Sequence, residues 1–150
     1  MFSTILHPTD LSEASAAAHR TAHELAKALG AKLIVCYITH PPLVASGTDV
    51  TDPETGKTRF VLEEVQAVQP PDPAVDCDVR IVMTDRSASA KTILGTLEKL
   101  GCDLIVLGMH KRSGVSGWMG SSITEEVVRH ANTPVMIVKA TKKTQKAPKQ

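Results

Sequence analysis

Between Gly108 and Glu126 the chain reads GMHKRSGVSGWMGSSITEE, with glycines at 108, 114, 117 and 120 ahead of a helical pattern. Such a segment can bind phosphate. Glycine lets an anion approach the backbone, free amides at a helix start point toward it, and the helix dipole is positive at that end. Ser121 and Ser122 could add hydroxyl donors, and Lys111 or Arg112 a positive charge. The same residues also have a local reading: Ser122 followed by Glu125 is a capping box, which accounts for a serine there without any ligand. Asp10, in Pro8-Thr9-Asp10, carries the same ambiguity. Just ahead of a helix, with Glu13 three residues on, it can meet a ligand or cap the helix.

Other chemistry-bearing residues point less far. His19 and His23 are four apart on a helical pattern, a spacing that can hold a metal, yet no H-E-x-x-H glutamate and no third ligand accompany them. A solvated helix face is the expectation. His110 lies in the glycine-rich loop, where it could meet a phosphate or stand by. Gly56-Lys57-Thr58 matches the end of a P-loop, but Thr51 occupies the place of its first glycine and no strand precedes it. No nucleophile, base and orienting acid assemble, so no catalytic residue is assigned. Cys36, Cys77 and Cys102 have no CxxC spacing and lie in or beside apolar runs. They read as small buried apolar residues, with no metal or disulfide role.

These residues are set among short β-rich runs alternating with helical patterns. A strand over 4–7 ends in the Pro8-Thr9-Asp10 turn. A helix over 12–29 follows, with Ala18, Ala22, Leu25 and Leu29 on one face and Gly30 after its last turn. Residues 32–38 (KLIVCYI) are almost continuously apolar, as in a strand buried on both faces of a parallel sheet. Prolines at 41, 42, 53, 70, 71 and 73 break 39–76 into loops, with only 58–68 helical in pattern. Then come a strand over 78–83, a helix over 89–100 with Gly101 behind it, and a strand over 103–107. After the glycine-rich loop, a helix over 123–131 and a strand over 134–138 complete the order. Right-handed crossovers then favour an α/β fold, an open doubly wound five-stranded parallel sheet with helices on both faces. If the strand order is 3-2-1-4-5, its ligand crevice lies between the carboxyl ends of strands one and four.

Charge narrows the partners. The chain carries 17 Lys and Arg against 16 Asp and Glu, a formal charge of +1. Five of the lysines (139, 142, 143, 146 and 149) fall in the last twelve residues; setting five aside from 17 leaves 12 basic against 16 acidic residues. That body, near −4, is a poor match for nucleic acid. Residues 140–150 are expected to be a disordered Lys-rich tail behind one domain over 1–139. No apolar run approaches the roughly 18 residues that span a bilayer. The opening MFSTILHPTD lacks the basic stretch of a signal peptide. A cytoplasmic protein is the expectation.

Two long stretches resemble a known family. ILHPTDLSEASAAAHRTAHELAKALGAKLIVCYI resembles the opening of the universal stress proteins: a strand, a P-x-D-x-S turn and a helix ending in LA-x-x-x-GA. DLIVLGMHKRSGVSGWMGSSITEEVVRHANTPVMIVK resembles their closing segment, and the two cover nearly half the chain in the right order. The resemblance implies the strand order 3-2-1-4-5 and a homodimer, often formed by pairing last strands, here Val135 to Val138. It also poses a choice, because the family contains members that bind nucleotide and members that do not.

Binders carry G-x-x-G, nine residues, then a glycine and a Ser or Thr; the aligned positions here are Gly108, Lys111, Ser121 and Ser122. The first glycine and the last hydroxyl are kept. Lys111 fills space where glycine admits phosphate and disfavours positive φ, and Ser121 raises the same objection more mildly. Against that, Lys111 could itself neutralise a phosphate, and Gly120 lies one residue from the expected position. Asp10 matches the aspartate that binders place near the nucleotide, and Ile38 the residue whose backbone meets adenine. A further departure is Ser87-Ala88-Ser89, where many members have a glycine and a proline before the third helix.

The resemblance thus implies a regulatory dimeric module of the stress response, binding ATP or AMP, with Mg alongside. Thr9, Asp10, Ile38, Gly108, Lys111, Gly120, Ser121 and Ser122 would line the site, Thr9 and Asp10 at the ribose and the others at adenine or the phosphates. Two alternatives stay open. One is a nucleotide-free module of the same fold that binds another protein; the other is a slow ATP hydrolase.

Overall fold

Lys32–Thr39 is buried at every position but its first, as a strand covered on both faces must be. The computed structural model, which describes residues 1–39, 44–46, 49–51, 58–60, 72–109 and 122–140, places this strand inside a parallel sheet. In chain order the elements are β1 (Thr4–Thr9), α1 (Glu13–Leu29), β2 (Lys32–Thr39), β3 (Val44–Ser46), β4 (Asp49–Thr51) and β5 (Thr58–Phe60). After these come β6 (Cys77–Met83), α2 (Ser89–Lys99), β7 (Leu104–Met109), α3 (Ser122–His130) and β8 (Val135–Lys139). The main sheet runs β6-β2-β1-β7-β8, every neighbouring pair parallel. This is the expected 3-2-1-4-5 order.

Alternation along the strands divides the core in two. Ile5, Leu33, Val35, Leu104 and Val106 face α1, which lays the small residues Ala18, Ala22 and Ala26 against them. Leu6, Ile34, Cys36, Ile38, Ile105 and Leu107 face the other way, onto Ala90, Ile93 and Leu97 of α2 and Val127 of α3. The alanine stripe lets α1 sit close to the sheet, because the side chains at these positions are short. Leu25 and Leu29, expected on the central face of α1, flank it half-buried. Gly30 ends α1 in the left-handed region at φ 61°, and Gly101 at φ 62° turns the chain after α2, a backbone geometry that favours glycine.

The middle of the chain corrects the sequence reading. Residues 44–60 contain a separate antiparallel sheet, β3-β4-β5. Thr58, expected to open a helix over 58–68, pairs instead with Thr51; residues 61–68 lie outside the described residues. Strands of three residues are too short to show a period of two, so the prolines dominated the pattern. Two main strands also run further than expected. β1 continues through Pro8 and Thr9, and β7 through Gly108 and Met109.

Candidate functional site

β1 lies between β2 and β7, and it parts from only one of them. Its ladder with β2 runs the whole strand, from Thr4↔Lys32 to Thr9↔Tyr37. Its ladder with β7 holds only Ile5↔Leu104 and Leu6↔Ile105. Continued in register, the parallel pattern would ask Pro8 to donate to the carbonyl of Val106. Proline has no N–H. The imidazole of His7 donates there instead, Nδ1 to oxygen at 3.0 Å; because a carbonyl only accepts, the proton sits on Nδ1. Past this point β7 stays with β8 as far as Met109↔Lys139, and the strand order reverses between β1 and β7, the place where open α/β sheets bind ligands.

The turn after β1 is built by short polar side chains. The Thr9 hydroxyl accepts the N–H of Leu11 at 3.0 Å and is hydrogen-bonded to the Ser15 hydroxyl in α1. Asp10 Oδ1 accepts the N–H of Ser12 at 2.9 Å; among the described residues no partner takes its other oxygen. Ser12 is the N-cap of α1, its side chain accepting from the N–H of Ser15 at 3.4 Å. Asp10 is therefore not the cap that its spacing to Glu13 suggested. It closes an Asx turn one step earlier. Leu11 stands between them at φ 64°, the one positive φ at a non-glycine residue among those described.

The other expected site residues fall as follows. Ile38 is buried with its side chain in the core on the α2 face, so only its backbone is offered to the carboxyl edge of the sheet. Gly108 is a buried strand residue, paired with Val138 rather than lying in the loop. A glycine there leaves room for close approach beside β1. Ser122 opens α3 within its first turn. Lys111, Gly120 and Ser121 lie outside the described residues, as do His110 and the lysine-rich end. Thr9, Asp10, Ile38 and Gly108 thus gather at one edge of the sheet, and the topology brings the start of α3 to that edge.

Three participants were not singled out in the sequence: His7, Leu11 and Ser15. Pro8 inside a strand could have indicated the break in the ladder. His19 and His23 depart from the solvated face expected of them. Both are half-buried, with Nδ1 of His19 and Nε2 of His23 enclosed and without a partner among the described residues. Burial pushes His7 and His19 down to about 4, so both rings are neutral near pH 7. No group of three metal-ligating side chains is placed to hold an ion among the described residues. Nor is any helix among them long and apolar enough to cross a membrane.

A profile of the universal stress protein family matches residues 1–139. The universal stress protein MJ0531 of Methanocaldococcus jannaschii is 26% identical over 150 residues, covering 95% of this chain and 85% of that protein. Among solved structures, a universal stress protein in complex with cAMP superposes with a TM-score of 0.68 at 24% identity, over 93% of this chain and 99% of its own. The universal stress protein of Archaeoglobus fulgidus in complex with dAMP gives 0.57 at 16% identity, over 93% and 98%. These last two likenesses are of fold.

Proposed function

The chain belongs to the universal stress protein family, and from that premise we propose that it is a regulatory module that binds an adenine nucleotide in the β1–β7 crevice. The observation that carries this reading is the end of the β1–β7 ladder ahead of Pro8, beside a Thr9-Asp10 turn held by its own hydrogen bonds. Such a turn is ordered before any ligand arrives, which lowers the cost of binding. Asp10 keeps one carboxylate oxygen for a ribose hydroxyl, Ile38 offers backbone to the base, and Gly108 admits the ligand close to β7. Lys111, Gly120, Ser121 and Ser122 would meet the phosphates. Relatives of the same fold in complex with cAMP and dAMP support an adenine nucleotide as the ligand class.

Titration of the protein with ATP and Mg, with AMP and with cAMP, by calorimetry and by the fluorescence of Trp118, tests this. We expect saturable binding of one nucleotide per chain, weakened about tenfold or more by Asp10→Ala. No heat and no fluorescence change up to millimolar nucleotide would remove the reading. A nucleotide-free module that docks on another protein would then stand in its place, favoured by Lys111 and Ser121 where binders have glycine. Slow ATP hydrolysis belongs to the first reading and should fall with Asp10→Ala.

We further place the protein in the cytoplasm, where free, buried thiols such as Cys36 and Cys102 persist. We propose a homodimer through β8. This strand pairs with β7 on one side, and its Val135 to Val138 are half-buried. An edge strand left unpaired invites another strand. Light scattering at micromolar concentration giving a monomer mass would exclude the dimer.

A further inference from the structure

His7 projects from β1 into the layer beneath α1 and is fully buried. With Nδ1 engaged by Val106, its Nε2 lone pair is enclosed and has no partner among the described residues. His19 faces it from α1, ring centroids 5.5 Å apart and planes tilted by 48°, with its own Nδ1 enclosed and unpartnered among the described residues. Two residues further along β1 and four back along α1, Thr9 and Ser15 are bonded to each other. The histidine pair and the hydroxyl pair are successive rungs joining β1 to the N-terminal half of α1.

Among the described residues, the groups that bear on His19 from close by are basic. His23 and Arg20, on α1 itself, bear on His19. From β7 the Val106 carbonyl meets His7, and the same face of the sheet carries Val35 and, two residues on, Tyr37 of β2, with Met136 and Val138 of β8. Asp72 acts on His23 from beyond the other half of α1, where it is paired with Lys27 at 2.5 Å. Two neutral imidazoles tolerate this setting. Two imidazoliums, desolvated and beside further positive charge, would not.

We propose that His7 and His19 form an acid-responsive catch, holding the N-terminal half of α1 on the sheet at neutral pH and releasing it when the pair takes up protons. Burial and the neighbouring like charges hold both groups near 4, against an ordinary value of about 6.5 in the open chain. Below pH 6.5 the released form therefore binds more protons than the closed form, and the closed form loses stability steadily down to about pH 4. Release breaks the Thr9–Ser15 rung next, and with it the support of the Thr9-Asp10 turn. The catch does not depend on nucleotide binding.

Amide hydrogen exchange of the full chain between pH 7.5 and 4.5, corrected for intrinsic rates, tests the proposal. Residues 9–20 should lose protection by about tenfold or more before β2 and α2 change. His19→Leu removes one partner at a half-buried helix position, and His7→Asn keeps a donor for Val106 without a titrating ring. Each should move the onset by roughly half a pH unit or more toward acid. Loss of protection spread evenly over the chain, or both variants keeping the wild-type onset, would overturn the proposal. Imidazole resonances of the wild-type protein give a second reading should the variants fold poorly. His7 and His19 must titrate well below 6.5, and ordinary midpoints for both would also overturn it.

Discussion

The Nδ1 of His7 and the carbonyl oxygen of Val106 are 3.0 Å apart, joining β1 to β7 where their backbone ladder has already stopped. A side chain does here what an N–H of Pro8 would do elsewhere in the strand. The exchange keeps the Val106 carbonyl satisfied inside the core although the backbone ladder ends at Leu6↔Ile105. The ladder thus ends ahead of a residue that cannot donate, and its neighbour supplies the donor in its place.

Removing that donor should be costly in the wild type and less so once the backbone can replace it. His7→Leu leaves the Val106 carbonyl without a partner, an expected loss of about 1–3 kcal/mol. In a Pro8→Ala background the new N–H can complete the ladder, and the same substitution should cost about 1 kcal/mol less. Urea midpoints for the four members of this double-mutant cycle measure the coupling. A coupling of zero would mean that the missing N–H and the imidazole bond are unrelated.

Leu11 carries strain that the turn imposes. A side chain at φ 64° costs roughly 1–2 kcal/mol, because Cβ crowds the following carbonyl. Leu11→Gly should therefore be neutral or stabilising in urea although it deletes a half-buried side chain. Leu11→Ile, with branching at Cβ, should lose about 1 kcal/mol or more. If glycine destabilises as much as isoleucine does, side-chain packing rather than backbone strain governs this position.

What was legible in the sequence follows from what leaves a repeating signal. The apolar run of β2 and the glycines behind α1 and α2 mark elements long enough to show their period, and the crossovers then fix the sheet. β3, β4 and β5, of three residues each, carry no such period. At the site, Thr9, Asp10 and Gly108 were recognisable as residue types beside a strand end. That His7 reaches Val106, or that Ser12 rather than Asp10 caps α1, depends on side-chain contacts that spacing alone leaves open. The same holds for His19, whose helical position put it on the border between solvent and core.

The cysteines should behave as core residues. Burial pushes Cys36 and Cys77 up to about 11 and raises Cys102 above its ordinary value. At pH 8 a thiol near 11 is ionised about 100-fold less than an ordinary one, and thiolate is the reactive form. A disulfide reagent such as Ellman's should label the native protein slowly at all three positions and react at once with all three in urea. Rapid labelling of Cys36 in the folded protein would show that the sheet under α2 opens on the timescale of the reaction.

Asp103 fastens the amino end of β1 to β7, and its contribution should depend on pH in a defined direction. Its carboxylate accepts the N–H of Ser3 at 2.9 Å, the hydroxyl of Ser3 at 2.9 Å and the N–H of Thr4 at 3.0 Å. Burial pushes its carboxyl upward, but these donors together outweigh that and hold it below the usual carboxylate value. A carboxyl lowered by folding stabilises the fold when it is ionised in both states. That stability is complete above the open-chain value of about 3.9 and is lost as the pH falls through the lower folded value. Asp103→Asn keeps the size but turns an N–H2 group toward donors, so the variant should lose about 1 kcal/mol at pH 7, a modest figure because the site is partly solvated. The difference in urea midpoint between variant and wild type should stay constant from pH 8 to 5 and shrink below about pH 4. A difference that persists unchanged at pH 3 would assign the effect to shape rather than to charge, and none at pH 7 would show that the amino terminus is held by the ladder alone.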